Sequence, residues 1–272
     1  MTAGRPDMIA VFGLGEAGSL MAADLAAAGV DVAGYDPAPV VTPDGVRRCE
    51  SPIDAVKGAD LVLAITSAAD AQAAIAQAWN QIGRGTIYAD LSTAPPTFKE
   101  DLSDTAALRG MRFVDVALMA PVPGRGLATP SYASGPGAAD YALAVNDLGG
   151  KVEVVGEEAG QAAARKLLRS IVTKGLTAVV IEAMEGAAKL ELDDWLWDHV
   201  VEFIETADRE TIERFVEGTR THVDRRIVEM DSAALLLESL DVEPLTARAT
   251  EALLKHVRDG DLRAALDTLG EL

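Results

Sequence analysis

The stretch from Met8 to Asp36, MIAVFGLGEAGSLMAADLAAAGVDVAGYD, leaves this chain few folds to choose from. Met8 to Phe12 is a short apolar run leading into GLGEAG, which fits G-x-G-x-x-G with Gly13, Gly15 and Gly18. Leu20, Met21 and Leu25 give an apolar helical face, Gly29 ends that helix, and a second apolar run, Val30 to Tyr35, closes on Asp36. Strand, glycine turn, helix, strand and acid is the order a dinucleotide-binding βαβ unit requires. Gly13 permits the tight turn, Gly15 lets backbone approach a pyrophosphate, and Gly18 lets helix pack on strand. The N–H groups of Leu14, Glu16 and Ala17 at the helix start, with the helix dipole, suit phosphate. Asp36 lies 21 residues beyond Gly15, the distance at which an acid grips the adenosine ribose.

At 272 residues and 49% hydrophobic content the chain is long and apolar enough for two domains or one large one. Its 24 basic and 43 acidic residues give a formal charge of −19, a surface that repels nucleic acid and anionic membranes. Cys49 is the sole cysteine, so no intramolecular disulfide forms, and a cytoplasmic setting fits. The first residues lack a secretory pattern, and no apolar run approaches the roughly 18 residues of a membrane helix. His199, His222 and His256 lie far apart without ligand spacing, so no metal site is expected.

Strands and helices then alternate. Ser51-Pro52 caps a short helix, Leu61 to Ile65 is a buried strand, and Thr66-Ser67 opens a helix from about Ala69 to Trp79. Thr86 to Leu91 is the next strand and ends in DLSTAPP; a helix runs to about Leu108, and Met111 to Val116 is a strand. A proline- and glycine-rich loop, a short strand at Tyr132 to Ser134, a helix through Leu148 and a strand at Lys151 to Val155 complete this half. After Gly156 only helical periodicity remains: Ala159 to about Leu190, Asp193 to Thr206, Asp208 to Leu240, a segment from Pro244 to Val257, and Asp261 to Leu269. The expectation is α/β: a Rossmann doubly wound parallel sheet over residues 1–156, then an all-α domain over 157–272.

Ligands of open α/β sheets sit beyond the carboxyl ends of the strands. Thr66-Ser67, Ser92-Thr93 and the loop from Ala120 to Gly126 converge on that edge. On the long helix Lys166, Ser170, Thr173, Lys174 and Thr177 share one face, a pattern that by itself describes a solvated helix side.

GLGEAG, DLSTAPP at Asp90 to Pro96, DVALMAPVPG at Asp115 to Gly124, and GQAAARK ending at Lys166 appear in one order. Together they resemble the β-hydroxyacid dehydrogenases, the superfamily of 6-phosphogluconate and 3-hydroxyisobutyrate dehydrogenases, over roughly the first 180 residues. The later segments KLLRSIVTKGLTAVVIEAM and HVDRRIVEMDSAALLLESLDVEP resemble the helical C-terminal domain of a less characterised branch. The resemblance implies nicotinamide-dependent oxidoreduction, with Lys166 in the position of the catalytic lysine. It implies that Ser92, Thr93, Pro123, Gly124 and Lys174 face substrate, and that Thr93 also faces the cofactor together with Thr66 and Ser67. It further implies homodimers whose helical domains complete one another's clefts.

Three positions depart from that pattern. Ser170 stands where the family carries asparagine, and serine makes fewer hydrogen bonds. Pro123-Gly124-Arg125 replaces S-G-G, and Arg125 is either a carboxylate or phosphate ligand or an exposed loop arginine. The later lysine-aspartate pair is absent, with Asp193-Asp194-Trp195 in that region.

The function expected is hydride transfer between a nicotinamide and a small hydroxy-acid-like substrate, with Lys166 as general acid/base and Ser170 hydrogen-bonding near the reacting oxygen. A free lysine titrates at about 10.4, so desolvation or the neighbouring Lys174 must lower that value. Asp36 followed by Pro37-Ala38-Pro39, without an arginine, favours NAD over NADP. Imine reduction on the same fold, or dinucleotide binding without catalysis, are the alternatives. Trp195 and Trp197 are read as packing residues rather than pocket walls. His222, Arg225, Arg226 and Glu229 are read as an ion-pair cluster.

Overall fold

The computed structural model describes residues 4–260, so the expected helix from Asp261 to Leu269 lies outside the described residues. The first unit alternates as the pattern predicts: β1 (Met8–Phe12), α1 (Glu16–Ala27), β2 (Asp31–Tyr35), β3 (Val46–Arg48), α2 (Pro52–Ala55), β4 (Leu61–Ala64), α3 (Ala68–Ala78), β5 (Ile87–Asp90), α4 (Pro96–Leu108), β6 (Arg112–Leu118), β7 (Pro130–Ser134), α5 (Ala138–Asp147) and β8 (Lys151–Gly156). These strands form one eight-stranded sheet in the order β3-β2-β1-β4-β5-β6-β7-β8.

Side-chain alternation sorts each strand onto two faces. Ile9, Val11, Leu61, Leu63, Ile87, Val114 and Val116 point to one face, where Met21 and Leu25 of α1 and Tyr141 and Val145 of α5 cover them. Ala10, Phe12, Val62, Ala64, Tyr88 and Phe113 point to the other, under Ile75 and Ala78 of α3 and Leu102 and Ala106 of α4. Strands buried on both faces need uninterrupted apolar runs, which is why MIAVF and LVLA lack polar residues. Strand order reverses between β1 and β4, and the Gly13–Gly18 turn lies beside that switch point, where such sheets bind ligands.

Two expectations change here. The sheet is not wholly parallel, because β6 pairs antiparallel with β7. The connection from Met119 to Thr129 holds one short 3₁₀ turn, Gly126–Ala128, and no crossover helix, so the chain folds back beside β6. β3, absent from the sequence reading, is a three-residue edge strand of which only Val46 is buried.

The helical region consists of α6 (Gln161–Lys189), α7 (Asp193–Thr206), α8 (Arg209–Ser239) and α9 (Leu245–Asp259). Two compact units divide inside α6, between Arg169 and Ser170, whereas β8 ends the sheet at Gly156. In the second unit Ala234, Leu237, Val242 and Ala247 form a small core, and Leu237 reaches α6 where Gly186 leaves room. α8 is kinked at His222 (φ −124°, ψ 26°), and Arg226 donates to the Phe215 carbonyl and the Thr219 hydroxyl across the kink. Among the described residues no helix is long and apolar enough to cross a membrane.

Candidate active site

The glycine turn is built by backbone proximity. Gly13 has φ +90°, donates to the Tyr35 carbonyl at 2.8 Å, and has no room for a Cβ, which would sit 2.3 Å from the Ile65 carbonyl oxygen. At Gly18 a Cβ would lie 1.9 Å from the Gly13 oxygen. At Gly15 nothing lies within 4 Å of that position. Two glycines therefore make the turn possible, and the third leaves a gap at the start of α1, where Glu16 and Ala17 present N–H groups. That open cradle fits a dinucleotide pyrophosphate.

Leu14 packs on Gly34 of β2, and its N–H donates to Asp36 Oδ2 at 2.8 Å. Asp36 Oδ1 accepts from Ala38 N at 2.8 Å. A carboxylate offers about four acceptor positions, so the Asp36 oxygens retain capacity for ribose hydroxyls. Sequence reading missed Arg48. Its Nη2 donates to the Asp36 carbonyl at 2.5 Å and the Ala38 carbonyl at 2.9 Å, while its Nη1 is buried without a hydrogen-bond partner. The signal was an arginine twelve residues past Asp36, on a strand too short and too charged to register.

Thr66 and Ser67 end β4 and open α3. Thr66 Oγ1 donates to the Ser67 carbonyl, and Ser67 Oγ caps the helix by accepting from Asp70 N at 3.2 Å.

The second group of residues gathers at the carboxyl end of β5. Thr93 Oγ1 accepts from Lys166 Nζ at 3.0 Å, joining the D-x-S-T loop to α6 across 73 residues of sequence. Ser92, Thr93, Asp115, Ala163 and Lys166 line one shallow cleft there. The first turn of α6 is fixed by side chains rather than left to fray: Ser134 Oγ accepts from Ala162 N at 3.0 Å and Asp115 Oδ2 from Ala163 N at 2.8 Å. Ser170 and Lys174 lie one and two turns further along α6. Pro123 and Gly124 (φ +77°) form an exposed turn, and Arg125 Nη1 reaches the Pro121 carbonyl at 3.3 Å. That loop is tied to α6 by Arg169 Nη1, which donates to the Met119 carbonyl at 2.8 Å.

Lys99 is the residue the sequence reading passed over. It is fully buried, its ammonium 3.4 Å from both Asp90 Oδ1 and Asp115 Oδ1. Nothing in the pattern marks it, because lysine on an amphipathic helix ordinarily faces water. Cys49 is buried and accepts from Arg47 Nη1 at 3.0 Å, and burial pushes its thiol pKa up, away from reactivity. Among the described residues no group of three or more His, Cys, Asp or Glu side chains is placed to hold a metal.

Residues 8–126 match the NAD binding domain of 6-phosphogluconate dehydrogenase. The first unit carries an NAD-binding domain of that type. Residues 187–257 match a second domain, DUF1932, of unknown function. A conserved hypothetical protein from Sinorhizobium meliloti 1021 is 28% identical over 97% of this chain and 96% of its own, with TM-score 0.61. The 3-hydroxyisobutyrate dehydrogenase of Mycobacterium tuberculosis, solved with L-serine, is 27% identical over 68% of this chain and 66% of its own, with TM-score 0.60. The fold is shared more widely. An imine reductase from Myxococcus stipitatus, solved as its V8 variant with NAD+, has TM-score 0.78 at 18% identity, covering 94% of this chain and 95% of its own. These matches are consistent with the β-hydroxyacid dehydrogenase-like superfamily.

Proposed function

We propose that the protein is a nicotinamide-dependent oxidoreductase acting on a small hydroxy-acid-like substrate, with Lys166 as its general acid/base. The observation that carries this reading is the 3.0 Å hydrogen bond between Lys166 Nζ and Thr93 Oγ1, at the carboxyl edge of a sheet with an NAD-binding turn. The nicotinamide, when bound, supplies hydride exchange. Lys166 holds or delivers the proton at the substrate oxygen, Thr93 fixes the direction of the ammonium, and Ser92 and Ser170 orient the substrate. Lys166→Ala should lower turnover by about 10²-fold or more, the ordinary share of a general acid/base, and leave the NADH dissociation constant unchanged. Full turnover in that variant would refute the assignment.

NAD is the cofactor favoured, because a 2′-phosphate would meet the Asp36 carboxylate. NADP is the second reading, and Arg48 favours it: a guanidinium with one buried, unpartnered nitrogen adjoins the same turn. Titrating NADH and NADPH against intrinsic fluorescence separates the two. NADH binding about tenfold tighter or more supports the Asp36 reading, and tighter NADPH binding reverses it.

Imine reduction remains the alternative chemistry because Ser170 replaces the family's asparagine. A panel of hydroxy acids and cyclic imines followed at the NADH absorbance band decides between them. The protein acts as a homodimer in this reading, supported by α7, which carries Trp195, Trp197, Phe203 and Ile204 yet has no buried residue.

A further inference from the structure

Among the described residues Lys99 is the one buried lysine or arginine, and its surroundings form a closed circuit. Its Nζ donates to the Asp90 carbonyl at 3.0 Å and the Ser92 carbonyl at 2.8 Å, so it holds the backbone of the D-x-S-T loop directly. Asp90 Oδ1 also accepts from Ser92 N at 2.7 Å. On its other side the same ammonium stands 3.4 Å from Asp115, whose second oxygen holds Ala163 N in the first turn of α6. Ala163 is three residues before Lys166, and Ser92 is next to Thr93. The Thr93–Lys166 hydrogen bond completes the ring.

We propose that Lys99 is a positioning residue: its ammonium locks the Asp90–Thr93 loop to the first turn of α6, and thereby sets the hydrogen bond between Thr93 and Lys166. One buried cation serves two buried carboxylates. Without it Asp90 and Asp115 face each other uncompensated, a state that buried charges escape by admitting water or moving apart. Either loosens the loop against the helix. A lysine suits the task because its compact ammonium donates to two loop carbonyls while its charge stands 3.4 Å from both carboxylates. The inference rests on Lys166 and Thr93 being the reacting end of the site, and it concerns how they are held, not which substrate they meet.

The test needs no substrate. Lys166 is partly exposed, so its acetylation by acetic anhydride can be timed by peptide mass spectrometry in protein whose circular dichroism spectrum and cooperative melting show it to be folded. Lys99→Met and Thr93→Val should each raise the Lys166 labelling rate about three- to tenfold, the range of one net hydrogen bond. The double variant should show no further rise, because both changes release the same bond. Lys99→Met that lowers Tm but labels Lys166 at the wild-type rate would make Lys99 a purely structural residue and overturn the proposal, as would fully additive effects. If Lys99→Met does not fold, Lys99→Met/Asp115→Asn replaces it, removing the ammonium together with one of the two carboxylates it faces while leaving an oxygen to accept from Ala163 N, with the same expected and overturning results. Retained turnover in Lys166→Ala would remove the catalytic role of Lys166 and leave the labelling result intact, so the two failures are distinct.

Discussion

At the scale of single residues the site is decided by what backbone and small side chains leave free. Gly13 and Gly15 make opposite predictions although they share a motif. Gly13→Ala places a Cβ against the Ile65 carbonyl at a φ of +90°, so the variant should lose at least about 2 kcal/mol of stability and its NADH binding together. Gly15→Ala puts its methyl into open space with an ordinary φ of −65°. Its Tm should stay within a few degrees of wild type, while NADH binds about tenfold more weakly or worse because the methyl occupies the path of the pyrophosphate. A Gly15→Ala protein that binds NADH as wild type would show that the phosphates lie elsewhere. The glycine turn, Asp36, Thr93 and Lys166 were legible because fixed spacing or family motifs mark them. Lys99, Arg48 and Asp115 were not, because each takes its role from neighbours distant in sequence, and a lone lysine or arginine announces no such partner.

At the scale of elements, legibility followed length and amphipathicity. α7 spans Asp193–Thr206, the range its pattern predicts, and α6 is continuous through Gly175 and Gly186. β3 escaped because three residues with two charges carry no period, and the reversal at β7 escaped because a strand's direction is not written in its side chains. The start of α9 shows an element held from outside. Pro244 offers no side-chain cap, so Glu182 of α6 takes its place, accepting from Thr246 N at 2.6 Å, Thr246 Oγ1 at 2.5 Å and Ala247 N at 2.8 Å. Burial raises the Glu182 pKa, but the hydrogen bonds from Thr246 and Ala247 outweigh it and hold the carboxyl below its ordinary value. A depressed folded-state pKa stabilises above the unfolded value of about 4.3, and that contribution is lost as pH falls through the folded value. Glu182→Ala should therefore cost about 1–2 kcal/mol in urea unfolding at pH 7. The gap between wild type and variant should shrink as the pH is taken below about 4, and a gap independent of pH would show that the carboxylate charge has no part in the cap.

At the scale of the whole molecule, the long helices leave much apolar surface in water. Leu168, Ile171 and Val172 share one side of α6, with Ile171 and Val172 each 70% exposed, and on α7 Trp197 and Ile204, seven residues apart and so on one side, are 54% and 49% exposed. Scattered apolar side chains are normal on a monomer, whereas stripes on successive helices mark an interface. The occupant proposed is a second copy of the chain, since an isologous contact uses each stripe twice. Each copy carries a formal charge of −19, so like-charge repulsion opposes the dimer and salt relieves it. Sedimentation equilibrium at micromolar concentration should give twice the 28.4 kDa chain mass, with a dissociation constant that tightens as salt rises from low to physiological levels. Ile171→Glu/Val172→Glu should weaken self-association at least about a hundredfold, from two lost aliphatic burials per copy and two new charges facing their symmetry mates. NADH binding in the first unit should survive that change, and Tm should cease to depend on protein concentration. A wild-type monomer at these concentrations, or a double variant that associates unchanged, would assign the exposed stripes to some other partner.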